Sequence, residues 1–570
     1  MVSLPIFIIL IGVLVSISNL TTVPWNIEPT GQSMATLTDD TEVTFDNPSG
    51  ETLPAKGTYE VTERYITLNM TGDGNLTKES GARGKANADG VQAIKVLIRE
   101  PQNASGKRPG VVFMHGAGYG TCDNSFGDVA SGMASAGFVT AVLDKPVWNT
   151  TDINRDYPAS AKAYDQVIEY LRDQSDVDEA KVGIYATSES TWISSYLLED
   201  DPDIAFQILL SPMVFSPRQS LGFFVTQDFT LVGANEGYQS IVQRVFSADT
   251  GLFGLNNFDL ATLKPAAYAV PTYVAYGSKD VMTAQVDGVR AILYNAHKAD
   301  NWNVTVRSYP VANHVLRLGD ESEAGTPFAD AYVDDLIDWA VGTSAGLTQT
   351  SEKVAGTNLY QSIGLPGALK ARRVGTIYGV ILHVTVVLLL LASIVLALVA
   401  LGRKIAADAR WRREKREAKH AGMLIPERPV VLGFAHGFGN ALLTLTLTTL
   451  ATLLIFFAGL WQVIMGVVKL AWGSAPTETP GVMYWSWPVI QVVSVLVLWA
   501  WSRVFMHLIE VASVRGLIQI PPRRESVRDI VTGADPVLAS TRLGRILFWL
   551  VAFTMLYILL VFAFWGLFIY

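Results

Sequence analysis

Four long apolar segments in the last third of the chain constrain its fold more than any other feature. They lie at about 374–401, 439–461, 484–501 and 546–570. Each is long enough to cross the roughly 30 Å hydrocarbon core of a bilayer as an α-helix. A helix also satisfies its own backbone hydrogen bonds where no water is available. We therefore expect residues 371–570 to form an all-α, four-helix transmembrane domain.

Charge divides the chain in the same place. Residues 1–370 carry 24 Lys and Arg against 43 Asp and Glu, whereas residues 371–570 carry 19 against 9. This asymmetry indicates an acidic soluble part joined to a membrane part with basic flanks. Because the basic residues lie beside apolar segments, they do not indicate nucleic-acid binding.

The basic residues of the membrane part concentrate in two of its connecting segments. One cluster occupies 403–416, between the first and second apolar segments, and the other occupies 515–528, between the third and fourth. By the positive-inside rule both are cytoplasmic. The part before residue 371 and the C-terminus are then extracytoplasmic, and the protein is predicted to be a multi-pass cell-membrane protein.

Three further segments are predicted from composition. Residues 1–22 contain a short apolar run with no preceding Lys or Arg, and they form either a signal peptide or an N-terminal membrane anchor. Residues 23–58 are rich in Thr, Asp, Pro and Gly, which predicts an extracytoplasmic lead-in that is flexible or lies along the surface. Residues 344–370 are rich in Gly, Ser and Thr and are expected to be a linker.

Residues 59–343 have the pattern of an α/β domain. Two alternating segments, 59–68 and 91–99, predict antiparallel strands. Continuous apolar runs then alternate with helical patterns; they include 138–143, 204–210, 272–276 and 304–309. Runs of this kind favour a mostly parallel sheet that is covered by helices on both faces.

One stretch of this domain, 181–192, carries a candidate nucleophile. It predicts a short strand, a tight turn of small residues and the start of a helix, with Ser188 on the turn. Such a nucleophile elbow lifts the hydroxyl above the sheet and aims the next backbone N–H, here that of Glu189, at a developing oxyanion. Ala186 and Ser190 stand where the G-x-S-x-G motif has glycine. An inactive relative, or an ordinary strand-to-helix turn, therefore stays open as an alternative.

Five motifs in order carry a family resemblance. They are His115-Gly-Ala-Gly118, Leu143-Asp-Lys145, Ala186-Thr-Ser-Glu-Ser190, Tyr276-Gly-Ser-Lys-Asp280 and Ala312-Asn-His314. With them, residues 60–342 resemble α/β-hydrolases of the dienelactone-hydrolase or prolyl-peptidase-like branch. The resemblance implies an α/β-hydrolase fold with a mostly parallel sheet and a cap insertion. This chain departs from the pattern at the two elbow glycines and at Pro146.

The chemistry of acyl transfer assigns roles to the remaining candidates. A serine hydroxyl needs a base, for which His314 is the candidate, and Asp280 would orient the imidazole. Asp287 is the reserve acid, since Asp280 could simply form a turn. The backbone N–H of Ala117 is the expected second oxyanion donor. Two other histidines precede residue 343, and they belong to the oxyanion turn and to a polar helix end: His115 and His297.

The segment 213–265 is longer than an ordinary connection and is predicted to be the cap over the active site. It contains seven phenylalanines, which would suit an acyl chain or form the cap's own core. Cys122 is the only cysteine, so neither disulfides nor a cysteine-based metal site is expected. We find no metal-ligand cluster, phosphate loop or dinucleotide fingerprint, and we expect no cofactor.

Together these features predict a membrane-bound extracytoplasmic serine hydrolase or acyltransferase. It would act on a carboxylic ester of a lipid or cell-envelope glycolipid through an acyl-enzyme on Ser188. The Ala- and Val-rich composition favours an actinobacterial envelope protein, and the substrate could then be an acylated or acetylated mycolate. Its expected partners are the lipid substrate, the membrane, and envelope lipid transport or assembly proteins. A non-catalytic docking partner of a lipid transporter, with a hydrolase fold, is the alternative; peptidase activity is a third hypothesis.

Overall fold

The computed structural model describes most of the chain. It covers residues 3–23, 25, 32–71, 91–118, 120–146, 155–261, 263–319, 325–435, 437–471, 481–514 and 538–569. The second predicted basic segment, 515–528, lies outside the described residues.

Thirteen strands are described. They are β1 (Gln32–Met34), β2 (Phe45–Asp46), β3 (Val61–Thr71), β4 (Val91–Pro101), β5 (Arg108–Met114), β6 (Val139–Leu143), β7 (Val177–Thr187), β8 (Gln207–Leu210), β9 (Thr272–Gly277), β10 (Val304–Tyr309), β11 (Thr348–Gln349), β12 (Val354–Gly356) and β13 (Leu359–Gln361). Nine of them form one sheet in the order β12-β10-β9-β8-β7-β5-β6-β4-β3. Only β4 runs against the others, since it pairs antiparallel with both β3 and β6. From β3 to β10 this is the strand order and direction of the α/β-hydrolase fold, as predicted.

Helices cover both faces of this sheet. On one face lie α3 (Tyr157–Arg172), α4 (Ser190–Asp200) and α7 (Gln285–Lys298), and on the other lie α2 (Gly127–Ser135) and α8 (Tyr332–Ser344). The alternation along β5 shows why two layers are needed. Val112 and Met114 belong to one buried hydrophobic cluster, whereas Val111 and Phe113 belong to the other. A strand that is apolar on both sides must be covered on both sides.

The cap begins after β8 and contains helices α5 (Pro217–Leu231) and α6 (Glu236–Phe246). Short 3₁₀ segments follow at Thr250–Phe253, Asn256–Asp259 and Pro265–Tyr268. Helix α5 starts where Ser216 accepts a hydrogen bond from the Gln219 N–H and Pro217 occupies the first turn, both of which favour a helix start.

Within the described part of the chain, five apolar helices lie outside the sheet domain: α1 (Ser3–Leu20), α9 (Arg373–His420), α10 (Phe438–Ala471), α11 (Val482–Val514) and α12 (Arg542–Phe564). Among the described residues, α9 to α12 contain four helical segments long and apolar enough to cross a membrane, as predicted. Helix α9 is longer than the first predicted span, because the basic segment 403–416 continues it rather than forming a loop.

Helix α1 packs against α11 and α12. Leu14 and Ser18 are buried there, and the Ser18 hydroxyl donates a hydrogen bond to the Ala563 carbonyl at 2.8 Å. Helix α1 therefore packs as a further helix of the bundle.

The cap and the membrane helices share one hydrophobic cluster. Phe229, Tyr238 and Ile241 of the cap belong to it together with Trp487 and other residues of α10, α11 and α12. The Tyr238 ring meets that of Trp487 edge to face, with 4.9 Å between centroids. The Tyr238 and Ser486 hydroxyl oxygens are 2.8 Å apart. The cap is thus packed on the bundle as well as on the sheet.

Residues 344–370 differ from the expected linker. Strand β12 pairs in parallel with β10 at the edge of the main sheet, and β13 pairs antiparallel with β1 of the lead-in. Polar, Gly-rich composition does not distinguish a linker from a short edge strand, since edge strands bury little apolar surface. The lead-in is also paired with the segment 344–370 at a second point, where β2 pairs with β11.

Candidate active site

The nucleophile elbow forms as the sequence predicts. Strand β7 ends at Thr187, helix α4 begins at Ser190, and Ser188 lies between them with φ of 51°. Positive φ is costly for a residue other than glycine, and such strain persists only where the surroundings impose it. Here the Ser188 N–H donates to the Leu210 carbonyl of β8 at 2.9 Å, which helps to impose it.

The two residues that replace the motif glycines fit this turn. Ala186 is fully buried in β7. The Ser190 hydroxyl accepts a hydrogen bond from the Thr187 N–H at 2.8 Å and lies 2.9 Å from the Met114 carbonyl, to which it can donate. Ser190 therefore ties the elbow to the neighbouring strand β5. Neither departure blocks the elbow, so neither favours a non-catalytic reading of the fold.

Ser188, His314 and Asp280 form one hydrogen-bonded chain. The Ser188 Oγ lies 2.9 Å from the His314 Nε2, and the His314 Nδ1 lies 3.0 Å from the Asp280 Oδ1. All three residues are at least nine-tenths buried. They come from the loops after β7, β10 and β9, whose carboxyl ends lie at the same edge of a parallel sheet.

Asp280 is held as a carboxylate. It accepts hydrogen bonds from the Met282 N–H at 2.8 Å and the Thr283 hydroxyl at 2.6 Å, besides its contact with His314. Burial alone would raise the pKa of Asp280, but the charge and hydrogen bond of His314 and these two donors outweigh it and lower the pKa below its usual range. An ionised acid beside Nδ1 leaves Nε2 free to accept the serine proton.

The other candidates lie elsewhere. The Asp287 carboxylate, the reserve acid, accepts a hydrogen bond from Gln361 Nε2 at 2.7 Å and ties α7 to β13. His297 is exposed and stacks on Trp302. The His115 Nε2 bonds the Leu143 carbonyl at 2.5 Å, and burial lowers the pKa of His115 to about 4. His115 is thus a neutral structural residue of the oxyanion turn.

The predicted oxyanion donors lie beside the elbow. Within the described part of the chain, neither the Ala117 N–H nor the Glu189 N–H donates a hydrogen bond. The turn that carries Ala117 approaches the nucleophile closely: a Cβ added to Gly116 would lie 3.4 Å from the Ser188 Cβ. Two unoccupied amide donors beside a nucleophile are what an oxyanion hole requires.

Sequence reasoning missed a buried ionic network around the same turn. The Glu189 side chain, 5% exposed, pairs with Lys145 at 2.9 Å and with Arg155 at 3.0 Å. The Lys145 ammonium also donates to the carbonyls of Gly116 and Gly118. One cation therefore joins the oxyanion turn to the elbow. The sequence did contain a signal for this network: a Glu stands in a turn of small, buried residues. A buried carboxylate needs a cation, so a nearby Lys or Arg could have been expected.

The cap contributes a second unpredicted group, Asp228. Its side chain is fully buried on α5, and neither carboxyl oxygen has a hydrogen-bond partner in the described structure. Burial, together with the nearby charge of Asp280, raises the pKa of Asp228 to about 9. Asp228 is therefore a neutral carboxylic acid at pH 7, close enough to Asp280 for the two groups to interact electrostatically.

Comparison with known proteins gives likeness of fold only. No protein-family profile matches the chain, and no curated protein sequence matches it significantly. Among solved structures, 2,6-dihydroxy-pseudo-oxynicotine hydrolase is 17% identical with a TM-score of 0.33, covering 51% of this chain and 70% of that protein. A bacterial heroin esterase is 16% identical with a TM-score of 0.32, covering 50% and 85%. The fold assignment rests on the strand order itself: this is an α/β-hydrolase fold followed by four candidate membrane helices.

Proposed function

We propose that this chain is a membrane-bound serine hydrolase or acyltransferase that acts on a carboxylic ester through an acyl-enzyme on Ser188. The observation that carries the proposal is the hydrogen-bonded chain from Ser188 through His314 to Asp280, on a strained elbow. The order serine, acid, histidine along the sequence is that of the α/β-hydrolase fold.

The chemistry proceeds in two halves. The Ser188 Oγ attacks the ester carbonyl while His314 Nε2 takes the hydroxyl proton, and the N–H groups of Ala117 and Glu189 stabilise the tetrahedral oxyanion. Collapse breaks the bond to the leaving alkoxide, which receives the proton from His314. Water or a second hydroxyl then attacks the acyl-enzyme, with His314 again as the base. Asp280 stabilises the imidazolium in each half.

We further propose that the ester is a lipid or a cell-envelope glycolipid, for example an acylated or acetylated mycolate. The support is the packing of the cap, since Phe229 and Tyr238 share a hydrophobic cluster with the membrane helices. A cap seated on the bundle could receive an acyl chain from the bilayer without passing it through water. Envelope lipid transport or assembly proteins would be its partners.

An active-site fluorophosphonate tests the nucleophile. The intact protein should be labelled, and Ser188→Ala should abolish labelling. Ser195→Ala is the matched control, because this hydroxyl lies on α4 and only bonds the Trp192 carbonyl one turn back. Labelling that survives in the Ser188→Ala variant would move the nucleophile elsewhere. Absence of labelling in the parent would favour the docking-partner hypothesis.

The proposed orientation places the hydrolase domain outside the cell membrane. A reporter fused after residue 570 should be extracytoplasmic, and one inserted near Arg413 on α9 should be cytoplasmic, because basic segments stay inside. A cytoplasmic C-terminal reporter would contradict this arrangement and would require a different number of crossings.

A further inference from the structure

A large cavity lies outside the catalytic centre, where the hydrolase domain meets the membrane helices. Its volume is about 880 Å³, which is within the range of small-molecule and lipid sites. The last turn of α1, the end of cap helix α6, the first turns of α9 and the end of α12 line it. It is mainly apolar, and its lining includes the aromatic side chains Tyr378, Phe564 and Trp565; Trp and Tyr are enriched at membrane interfaces.

One buried cation lines this cavity. Arg244 of α6 is only 5% exposed. Its guanidinium donates to the Ser240 carbonyl at 2.8 Å and the Ser18 carbonyl at 3.2 Å, and it contacts the Thr22 hydroxyl at 3.4 Å. Its Nε–H has no partner, and no carboxylate pairs with it among the described residues. Carbonyl dipoles at helix ends offset part of the charge, but a full countercharge is lacking.

Two more arginines stand at the mouth of the same cavity. Arg372 donates to the Thr22 carbonyl at 2.9 Å, and Arg373 is 4.0 Å from the Asp249 carboxylate, the limit of an ion pair. Burial, and then the charge of Arg372, lowers the pKa of Arg244 to about 10. Arg244 and Arg372 therefore repel each other beside an apolar space, and Asp249, beside Arg373, is the one carboxylate paired with any of the three cations among the described residues.

We propose that this cavity binds a membrane lipid whose headgroup carries a phosphate, with the phosphate against Arg244 and Arg373 and an acyl chain along the apolar wall. Guanidinium groups match phosphate geometry and form charge-assisted hydrogen bonds with it. A free anion would leave the apolar lining uncovered, and a neutral lipid would leave the cations without a countercharge. None of Ser188, Asp280 and His314 lines the cavity. The site is therefore independent of the acyl chemistry proposed above.

The test measures binding of a fluorescent phosphatidylglycerol to the full-length protein in detergent, by fluorescence polarisation. Unlabelled phosphatidylglycerol should displace it, diacylglycerol with the same chains, which lacks the phosphate, should compete at least tenfold less well, and inorganic phosphate should not displace it. Equal competition by diacylglycerol would overturn the role of the cations. Displacement by inorganic phosphate at matched concentration would overturn the lipid assignment in favour of a free-anion site.

Variants locate the site. Arg244→Gln and Arg373→Gln should each weaken binding roughly tenfold, the value of a lost hydrogen bond between charged groups. Because Arg244→Gln could misfold, Val374→Asp is the safer second test: Val374 is 83% exposed in the first turn of α9, where an acid favours the helix. The negative charge of the new aspartate should repel the phosphate and weaken binding by a similar factor. Arg412→Gln, near the other end of α9, is the matched control, and Ser188→Ala should bind like the parent. Unchanged binding in the three cavity variants would overturn the proposal.

Discussion

Two buried cations in this protein differ in whether a carboxylate balances their charge. At the elbow, Lys145 lies 2.9 Å from the Glu189 carboxylate, so its charge is balanced within the chain. At the membrane junction, Arg244 is buried just as deeply but meets only carbonyls and a hydroxyl. A buried charge that is paired within the chain stabilises the residues around it, whereas a buried charge without a countercharge is stabilised when an anion binds. The first region is thus complete in itself, and the second is built to receive a ligand.

The largest effect is expected from Lys145→Met, which breaks the balance at the elbow. It leaves the Glu189 carboxylate short of one cation and the Gly116 and Gly118 carbonyls without their donor. We expect about 3 kcal/mol of destabilisation, and a fall in kcat of roughly 10²-fold with little change in KM. Thermal inactivation and ester kinetics would measure both.

A second change separates positioning from charge balance. Lys145→Met combined with Glu189→Gln removes both of these charges, although Arg155 then loses its contact with Glu189. Stability should therefore return in part, while kcat stays low because the oxyanion turn is still untethered. Full recovery of kcat in the double variant would show that Lys145 only neutralises Glu189. Lys298→Met, an exposed position on α7, serves as the control.

A moderate effect is expected from Gly237→Ala, which disturbs the junction with the membrane. The added Cβ would lie 1.9 Å from the Trp487 ring, so either this ring or the cap must move and their packing is disturbed. We expect about a tenfold loss of activity on a bilayer-resident ester, because an acyl chain crossing water costs about 0.8 kcal/mol per exposed CH₂. Activity on a short soluble ester should change little. Adding Trp487→Ala should restore activity on the bilayer-resident ester, because the smaller side chain makes room for the added methyl group. Equal loss of activity on both esters would show that the junction supports the fold itself.

The smallest effect on activity is expected from Asp228→Asn in the cap, which instead changes how stability depends on pH. The folded state holds a proton on Asp228 up to about pH 9, whereas the unfolded chain releases it near pH 4. Between these values the unfolded state binds fewer protons, so Asp228 makes the parent less stable as the pH rises. The neutral amide of the variant removes this pH-dependent loss of stability. At pH 8 the free energy of unfolding of the variant should exceed that of the parent by several kcal/mol, about 1.4 kcal/mol for each pH unit above the unfolded pKa, and the gap should close towards pH 5. A gap that does not change with pH would contradict a protonated Asp228.

Much of the fold followed from local patterns. The lengths of the apolar segments predicted four membrane helices, and the alternation of apolar runs with helical patterns predicted the parallel sheet. The motifs around Ser188, Asp280 and His314 could be placed because each follows a strand, and the ends of parallel strands meet. Each of these signals is contained in one continuous stretch of the sequence.

The tertiary structure alone decided the remaining features, because they depend on contacts between segments far apart in the chain. Lys145 reaches Glu189 across 44 positions, and Arg244 reaches Ser18 across 226. Residues 354–356 look like a linker by composition, yet they extend the sheet, since an edge strand needs only a neighbour with free backbone groups. Local patterns in the sequence predicted most strands and helices and brought out the candidates Ser188, Asp280 and His314. Whether a buried charge finds a countercharge is set by packing, and that difference distinguishes the elbow from the cavity at the membrane.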